Sequence, residues 1–271
     1  MNNIFRSKRP DIFDADTPFR APEFILPGLR AGQVGLLCAP GETGKSFLAL
    51  ELAFAVASGN CLLEKIPVHA AGPVLVLQFE DDSFDTVNRG NSILRTMREQ
   101  GKILPEPTAL SVFSLPEEAL PLLDSSGLLI EENITALTEI CEGMRLVILD
   151  PLSHLHVANE NDSTHMNVLS KVLKKIAQKC QCGVLICHHT NKAATLSGQG
   201  DIQQAARGSS ALVDAARLVM NLSRHPKQEG WLQLSWSKLN GHAPIDAIDL
   251  VRGKEGGLVA PYGDKEIGGI K

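Results

Sequence analysis

The stretch that decides the fold is Ala39-Pro40-Gly41-Glu42-Thr43-Gly44-Lys45-Ser46. A short apolar run at 34–38 precedes it, and an Ala- and Leu-rich run at 47–57 follows it. The first run is typical of a buried parallel strand and the second of a largely buried helix. A glycine-rich turn between a strand and a helix, ending in Gly-Lys-Ser, predicts a phosphate-binding loop. A turn of the same kind without a ligand is the alternative.

The parts of this loop suit a nucleoside triphosphate. Gly41 and Gly44 let the backbone approach the phosphates, and the helix N-terminus adds partial positive charge. We predict that Lys45 reaches the outer phosphates and that the hydroxyl of Ser46 ligates Mg²⁺. Ala39 replaces the usual first glycine, at the least demanding position, because the cradle rests on later N–H groups. The predicted nucleotide-binding residues are Ala39, Pro40, Gly41, Glu42, Thr43, Gly44, Lys45, Ser46 and Phe47.

Short apolar runs alternate with helical patterns along the rest of the chain. We predict strands at 74–79, 110–114, 146–149, 184–187, 217–222 and 231–236, and helices at 84–99, 133–142 and 164–179. Such alternation predicts an α/β fold with a doubly wound, mostly parallel sheet flanked by helices. The last run alternates apolar and polar residues, which predicts a C-terminal antiparallel hairpin. Ser83 is the predicted N-cap of the second helix.

The composition excludes several classes of protein. Hydrophobic residues make up 44% of the 271 residues, yet the longest apolar runs are too short to span a bilayer. The basic first ten residues lack the apolar stretch of a secretory signal, so we predict a cytoplasmic protein with no membrane partner. With a formal net charge of −5 the protein is not basic overall, so any contact with nucleic acid must be local. The six cysteines form no CxxC pair, so a zinc site is not predicted.

One domain is the predicted organisation of most of the chain. Residues 1–22 carry three prolines and no clear period, and we predict that they form a flexible N-terminal arm. No linker-like composition interrupts the residues that follow. Residues 23–271 are therefore predicted to form a single domain.

Two carboxylates at predicted strand ends are the candidate metal ligand and the candidate catalytic base. Asp150 is predicted to hold Mg²⁺ through water. Because Pro151 follows it, the base that polarises the attacking water does not lie beside Asp150. Glu80 is the predicted base, since residues just beyond the carboxyl ends of parallel strands line the ligand crevice. Asp81 and Asp82 follow directly, and the alternative is that all three acids only solvate a loop.

Two histidines end the predicted strand at 184–187. His188 and His189 therefore fall at the same crevice as the two carboxylates. One of them is placed to hydrogen-bond the γ-phosphate and to report its loss to the polar stretch that follows. A structural role at the strand end is the alternative.

Five segments of the sequence form a signature in combination. They are EFILPGLRAGQVGLLCAPGETGKSFLALELA, QFED, LVILDPLSH, LICHHTNK and QQAARGSSALVDAAR. Together they resemble the RepA-like hexameric replicative DNA helicases of broad-host-range plasmids. More widely, they are similar to the DnaB-like and KaiC-like branch of RecA-fold ATPases. The resemblance extends over nearly the whole chain, from Phe24 to Val259.

The resemblance implies a RecA-like domain in a homohexameric ring. Such a ring hydrolyses ATP with Mg²⁺ at its subunit interfaces and translocates on single-stranded DNA. The resemblance suggests Glu80 as the catalytic base and His189 as the γ-phosphate sensor. It suggests that Arg207 is an arginine finger reaching a neighbour's nucleotide, and that Lys238 is a second residue acting across the interface.

The resemblance also implies that the polar stretch between His188 and Arg207 faces the central channel and meets DNA, with 152–163 as a second candidate. Lys192, Gln203 and Gln204 are the predicted DNA contacts, because a ring supplies many copies of the lysine and amides contact DNA without regard to sequence. The stretch holds no aromatic residue on which a base could stack. A basic helix face is interpreted as solvated surface; it consists of Lys171, Lys174, Lys175 and Lys179.

Three functions remain open on the sequence. The leading one is an ATP-dependent helicase of plasmid-type replication. The second is a RecA-fold, DNA-dependent ATPase that acts in recombination or remodelling without processive unwinding. The third is a regulatory nucleotide-binding ring that does not act on DNA.

Overall fold

The computed structural model describes residues 23–63, 65–160, 162–190, 210–254 and 256–261. The predicted N-terminal arm lies outside these residues, so the arm and the single domain stay predictions. The strands are β1 (Val34–Ala39), β2 (Val74–Gln78), β3 (Leu110–Ser114), β4 (Leu146–Asp150), β5 (Gly183–His189), β6 (Leu218–Arg224), β7 (Leu232–Leu239), β8 (Ile248–Arg252) and β9 (Leu258–Val259). The helices are α1 (Lys45–Ser58), α2 (Ser83–Glu99), α3 (Glu131–Ile140), α4 (Ser163–Cys180) and α5 (Ser210–Ala215), with 3₁₀ turns at Pro107–Ala109 and Leu152–Leu155.

The strands of the described residues form one sheet in the order β3-β2-β4-β5-β1-β6-β7-β8-β9. Strands from β3 to β6 in this order pair in parallel. Strands from β6 to β9 pair antiparallel. The predicted doubly wound, mostly parallel sheet with an antiparallel C-terminal part is therefore confirmed.

The antiparallel part is larger than the predicted hairpin. The sequence predicted β6 and β7 but missed β8 and β9. These two strands have five and two residues and flank a glycine-rich segment. Runs this short carry no distinctive period, and their place is set by pairing with β7 rather than by local preference.

Helices cover both faces of the sheet. α1 and α2 pack on one face, whereas α3, α4 and α5 pack on the other. Every residue of β1, β2 and β4 is buried, as expected for strands covered on both faces. The four lysines of α4 lie on its exposed side. Within the described ranges, no helix has the length and apolar character that crossing a membrane requires.

The structure corrects the start of α2. The predicted N-cap, Ser83, is wrong, because Asp82 holds that position and Ser83 is the first helical residue. A carboxylate oxygen of Asp82 accepts a hydrogen bond from the backbone N–H of Asp85 at 2.8 Å. An acidic cap also complements the positive end of the helix, which a serine does less well.

A buried carboxyl ties α1 to the C-terminal strands. Glu51 lies within α1, and its Oε1 accepts a hydrogen bond from the backbone N–H of Leu258 at 2.8 Å. Its Oε2 is buried and has no hydrogen-bond partner in the part of the chain that the structure describes. Burial raises the pKa of Glu51 to about 8, against the opposing effects of the Leu258 hydrogen bond and of Lys102 and Arg252.

Glu51→Gln is expected to flatten the pH dependence of stability. Between its ordinary pKa of 4.5 and about 8, the folded state binds more protons at Glu51 than the unfolded state does. The contribution of this group to the free energy of unfolding therefore falls as pH rises through that range. We expect the variant to match the wild type within about 1 kcal/mol near pH ~5, and to be more stable by about 1–3 kcal/mol near pH ~9.

Urea unfolding at the two pH values measures this difference. Glu139→Gln, at an exposed carboxyl on α3, is the control and should leave the pH dependence unchanged. An equally steep loss of stability toward high pH in Glu51→Gln and wild type would contradict the prediction.

Candidate functional site

The loop between β1 and α1 has the backbone that close approach to a phosphate requires. Glu42 and Gly44 adopt positive φ angles of 64° and 96°, and Gly44 is the N-cap of α1. The φ of 96° at Gly44 favours glycine, whereas the guanidinium of Arg252, 2.9 Å from a Cβ built there, is a flexible side-chain end that can shift. The Thr43 hydroxyl donates to the carbonyl of Pro40 and closes the loop. The loop thus presents the N-terminus of α1, whose first N–H groups have no partner inside the helix.

A buried ion pair joins this loop to β4. The Lys45 Nζ donates to Oδ1 of Asp150, and both side chains are only 3% exposed. Burial disfavours the charged form of Lys45, but the neighbouring Cys187 and Asp150 outweigh it, and the pKa of Lys45 is raised. The structure therefore brings together the predicted phosphate-binding lysine and the predicted metal-binding carboxylate.

The donor set here fits Mg²⁺. Oδ2 of Asp150 is buried and has no hydrogen-bond partner among the described residues. Ser46 lies in the first turn of α1, one residue after Lys45. A carboxylate and a hydroxyl, completed by water and phosphate oxygens, are what Mg²⁺ prefers over an all-protein cage. The described ranges contain no group of three or more His, Cys, Asp or Glu that could hold a metal by themselves.

The three acids after β2 have three different roles in the structure. Asp81 forms a two-pronged ion pair with Arg89 of α2. Asp82 caps α2. Glu80 instead faces two imidazoles: its Oε2 lies 3.3 Å from Nε2 of His189, and its Oε1 lies 3.5 Å from Nε2 of His154. Of the three, Glu80 is the acid left at the crevice.

The two histidines of β5 point into different surroundings. Strand pairing sets His188 opposite Cys38 and His189 opposite Ala39, at the start of the loop. His188 is buried, with Nδ1 3.2 Å from Glu160. Burial lowers its pKa to about 4, helped by His189, Lys45 and His156. His189 is 40% exposed and contacts Glu80, so it is the histidine available to a ligand.

Of the individual residues predicted to act across the interface or on DNA, Lys238 alone belongs to the described part of the chain. Lys192, Gln203, Gln204 and Arg207 lie outside the described residues. Lys238 is described, and its Nζ donates to the carbonyls of Val213 and Asp214 at 2.9 and 3.0 Å. In the single chain it thus caps the C-terminus of α5, and action across an interface stays a prediction.

Two residues that lie near the loop in the structure were not predicted from the sequence. Arg252 lies against Gly44, but it belongs to β8, which was not predicted. His154 contacts Glu80 from the 3₁₀ turn after β4. The sequence did hold a clue to His154, because it follows Asp150 by four residues. Asp150 ends β4, which pairs with β2, and Glu80 follows β2.

A cavity of about 390 Å³ lies farther along α1, beside Glu51, Ile93 and Leu258. None of the loop residues 39–46 lines it. It is therefore separate from the site at the loop.

Comparisons with known proteins show the family and the fold of the chain. The model of a family described as "AAA domain" matches residues 5–195. The solved structure "ATPase Domain of G40P" is similar at a TM-score of 0.60 and 15% identity, covering 86% of both chains. A DnaB-like replicative helicase, solved with its interactions with primase, matches at 0.58 and 15%, covering 86% of this chain and 58% of that one. The RadB recombinase matches at 0.53 and 16%, covering 86% and 93%. At these identities the solved structures show a shared RecA-like fold.

Glu80→Gln and Asp150→Asn are expected to fail in different ways. The amide at position 80 keeps shape and hydrogen bonding but cannot take a proton, so turnover of ATP should fall at least ~100-fold while nucleotide affinity is kept. Asp150→Asn weakens metal retention, so its activity should rise with added Mg²⁺ toward that of the wild type.

Steady-state hydrolysis across a Mg²⁺ titration, with nucleotide binding measured by fluorescence, separates the two variants. Parallel losses of affinity and turnover in Glu80→Gln would show a structural role for that residue instead.

Proposed function

The chain belongs to the AAA-domain family, and from that premise we propose that it is an ATP-dependent DNA helicase motor. In this proposal the protein forms a homohexameric ring in the cytoplasm, hydrolyses ATP at subunit interfaces and translocates on single-stranded DNA in plasmid-type replication. The arm at 1–22 and the single domain at 23–271 belong to the same proposal. The fold shared with a helicase ATPase domain supports it.

One observation supports the hydrolysis step of the proposal: Lys45 of the loop and the two strand-end carboxylates, Asp150 and Glu80, lie at one edge of the sheet. Lys45 and Asp150 are in contact. Glu80 follows β2, which pairs in parallel with β4, so it lies at the same edge. Each group serves a different need of phosphoryl transfer, which consists mainly of positioning and charge stabilisation.

The residues of this chain divide the work of hydrolysis. When ATP binds, Lys45 exchanges Asp150 for the outer phosphates, and the N–H groups at the start of α1 hold the remaining oxygens. Ser46 and Asp150 would hold Mg²⁺, which would supply neutralising charge at the phosphates. Glu80 accepts a proton from the attacking water. His189, which pairs with Ala39 at the start of the loop, contacts the γ-phosphate and reports its loss.

Two further groups act between subunits and on DNA in this proposal. Arg207 reaches the nucleotide of a neighbouring subunit, with Lys238 as a second residue across that interface. A guanidinium presents paired planar donors that match the charge on the transferred phosphoryl group. Lys192, Gln203 and Gln204 contact the DNA backbone, independent of sequence.

Single-stranded DNA is expected to stimulate ATP hydrolysis several-fold, and the protein is expected to displace a strand from a forked duplex. Lys45→Ala is the control and should do neither, because the phosphates lose their main cationic partner. Stimulation without strand displacement would favour the recombination or remodelling ATPase. A rate of ATP hydrolysis that single-stranded DNA does not change would favour the regulatory nucleotide-binding ring.

Mixing two inactive variants is expected to restore hydrolysis. Arg207→Ala keeps an intact phosphate loop, whereas Lys45→Ala keeps an intact finger, and each alone should lose activity, roughly 10³–10⁵-fold for the finger. In a mixed ring, some interfaces combine the intact loop of one subunit with Arg207 of its neighbour, so part of the activity returns. Subunit exchange is verified by native mass spectrometry. If exchange occurs and no mixing ratio restores hydrolysis, Arg207 does not act in trans.

A further inference from the structure

We propose that His154 is a positioning residue for Glu80, holding Oε1 of its carboxylate, the oxygen that His189 does not contact. The inference rests on the proposed role of Glu80 as the catalytic base. It adds a residue that neither the phosphate loop nor the strand-end pattern assigns to the reaction.

The geometry is a carboxylate held from two sides. Oε1 of Glu80 lies 3.5 Å from Nε2 of His154, and Oε2 lies 3.3 Å from Nε2 of His189. The imidazoles come from separate elements, the 3₁₀ turn after β4 and the end of β5. His189 Nε2 is hydrogen-bonded to Oε2; in the proposed role the Nε2–H of His154 donates to Oε1, and the two contacts together fix the plane of the carboxylate. Each oxygen keeps a further lone-pair site for an attacking water.

His154 is itself held in place. Its ring stacks on Phe79 at 6.1 Å between centroids and 22° between planes. Phe79 is buried, and its backbone N–H donates to the carbonyl of Asp150 at 3.0 Å. His154 is 19% exposed, whereas Glu80 is 44% exposed. A half-exposed glutamate has many rotamers to lose, and a fixed ring beside it limits that loss.

The other charged groups around Glu80 are engaged elsewhere. Lys45 acts on Glu80 through its charge, but its Nζ donates to Asp150. Asp81 is paired with Arg89. The His188 ring contacts Glu160. Among the described residues, His154 and His189 are therefore the groups whose ring nitrogens directly face the Glu80 oxygens.

Three substitutions at position 154 separate positioning from packing. His154→Phe keeps a ring for Phe79 and removes the donor. His154→Gln removes the ring and keeps a donor at the reach of Nε2, whereas His154→Asn keeps a donor that is one bond too short. We expect His154→Phe and His154→Asn to lose roughly 10–100-fold in kcat, the scale for a misplaced group, with KM for ATP nearly unchanged. His154→Gln should recover most of the loss. His69→Phe, at an exposed histidine away from the site, should behave as wild type.

The outcomes decide between explanations. If His154→Phe retains full kcat, or if His154→Gln is as slow as His154→Asn, the positioning role is wrong. The comparison of Gln with Asn remains valid even if His154→Phe does not fold, since both amides lack the ring. Glu80→Gln, assayed alongside, tests the base itself: turnover in that variant would overturn the proposed function, whereas its inactivity with an unaffected His154→Phe would overturn this inference alone.

Discussion

Parallel pairing of β2, β4, β5 and β1 is the constraint on which the site depends. Parallel strands present their carboxyl ends at a common edge, so residues distant in the chain meet there. Gln78 pairs with Asp150, and Ala39 pairs with His189. Slipping one strand by a residue would turn the following side chain to the other face. The complete burial of β1, β2 and β4 resists such a slip, because it would displace the packed side chains on both faces.

The buried ion pair of Lys45 and Asp150 lies at the predicted phosphate-binding loop. Lys45 and Asp150 are both nearly inaccessible, and a buried ion pair recovers its desolvation cost only with good geometry and further partners. Asp150 keeps one buried oxygen without a hydrogen-bond partner among the described residues. In the proposed function, this pair exchanges partners when phosphate and metal bind. Glu51 on the same helix differs, because burial raises its pKa and favours the neutral form.

Three consecutive acids illustrate how the fold assigns roles. Glu80, Asp81 and Asp82 are equivalent by charge, yet one faces imidazoles, one pairs with Arg89 and one caps α2. The ion pair and the cap anchor the start of α2 beside Glu80. They leave the glutamate as the acid with freedom to meet a ligand, and His154 and His189 limit that freedom.

The sequence by itself determined the loop at 39–46, the alternation of strands and helices, and the strand-end positions of Glu80, Asp150 and His189. These depend on local chemistry and short periods, which the order of residues encodes directly. Only the tertiary structure decided the strand order, the extra strands β8 and β9, the approach of Arg252 to Gly44 and the contact of His154 with Glu80. The physical reason is that side-chain packing and strand pairing set these features, not local preference; the two side-chain contacts join residues 74 and 208 positions apart in the chain.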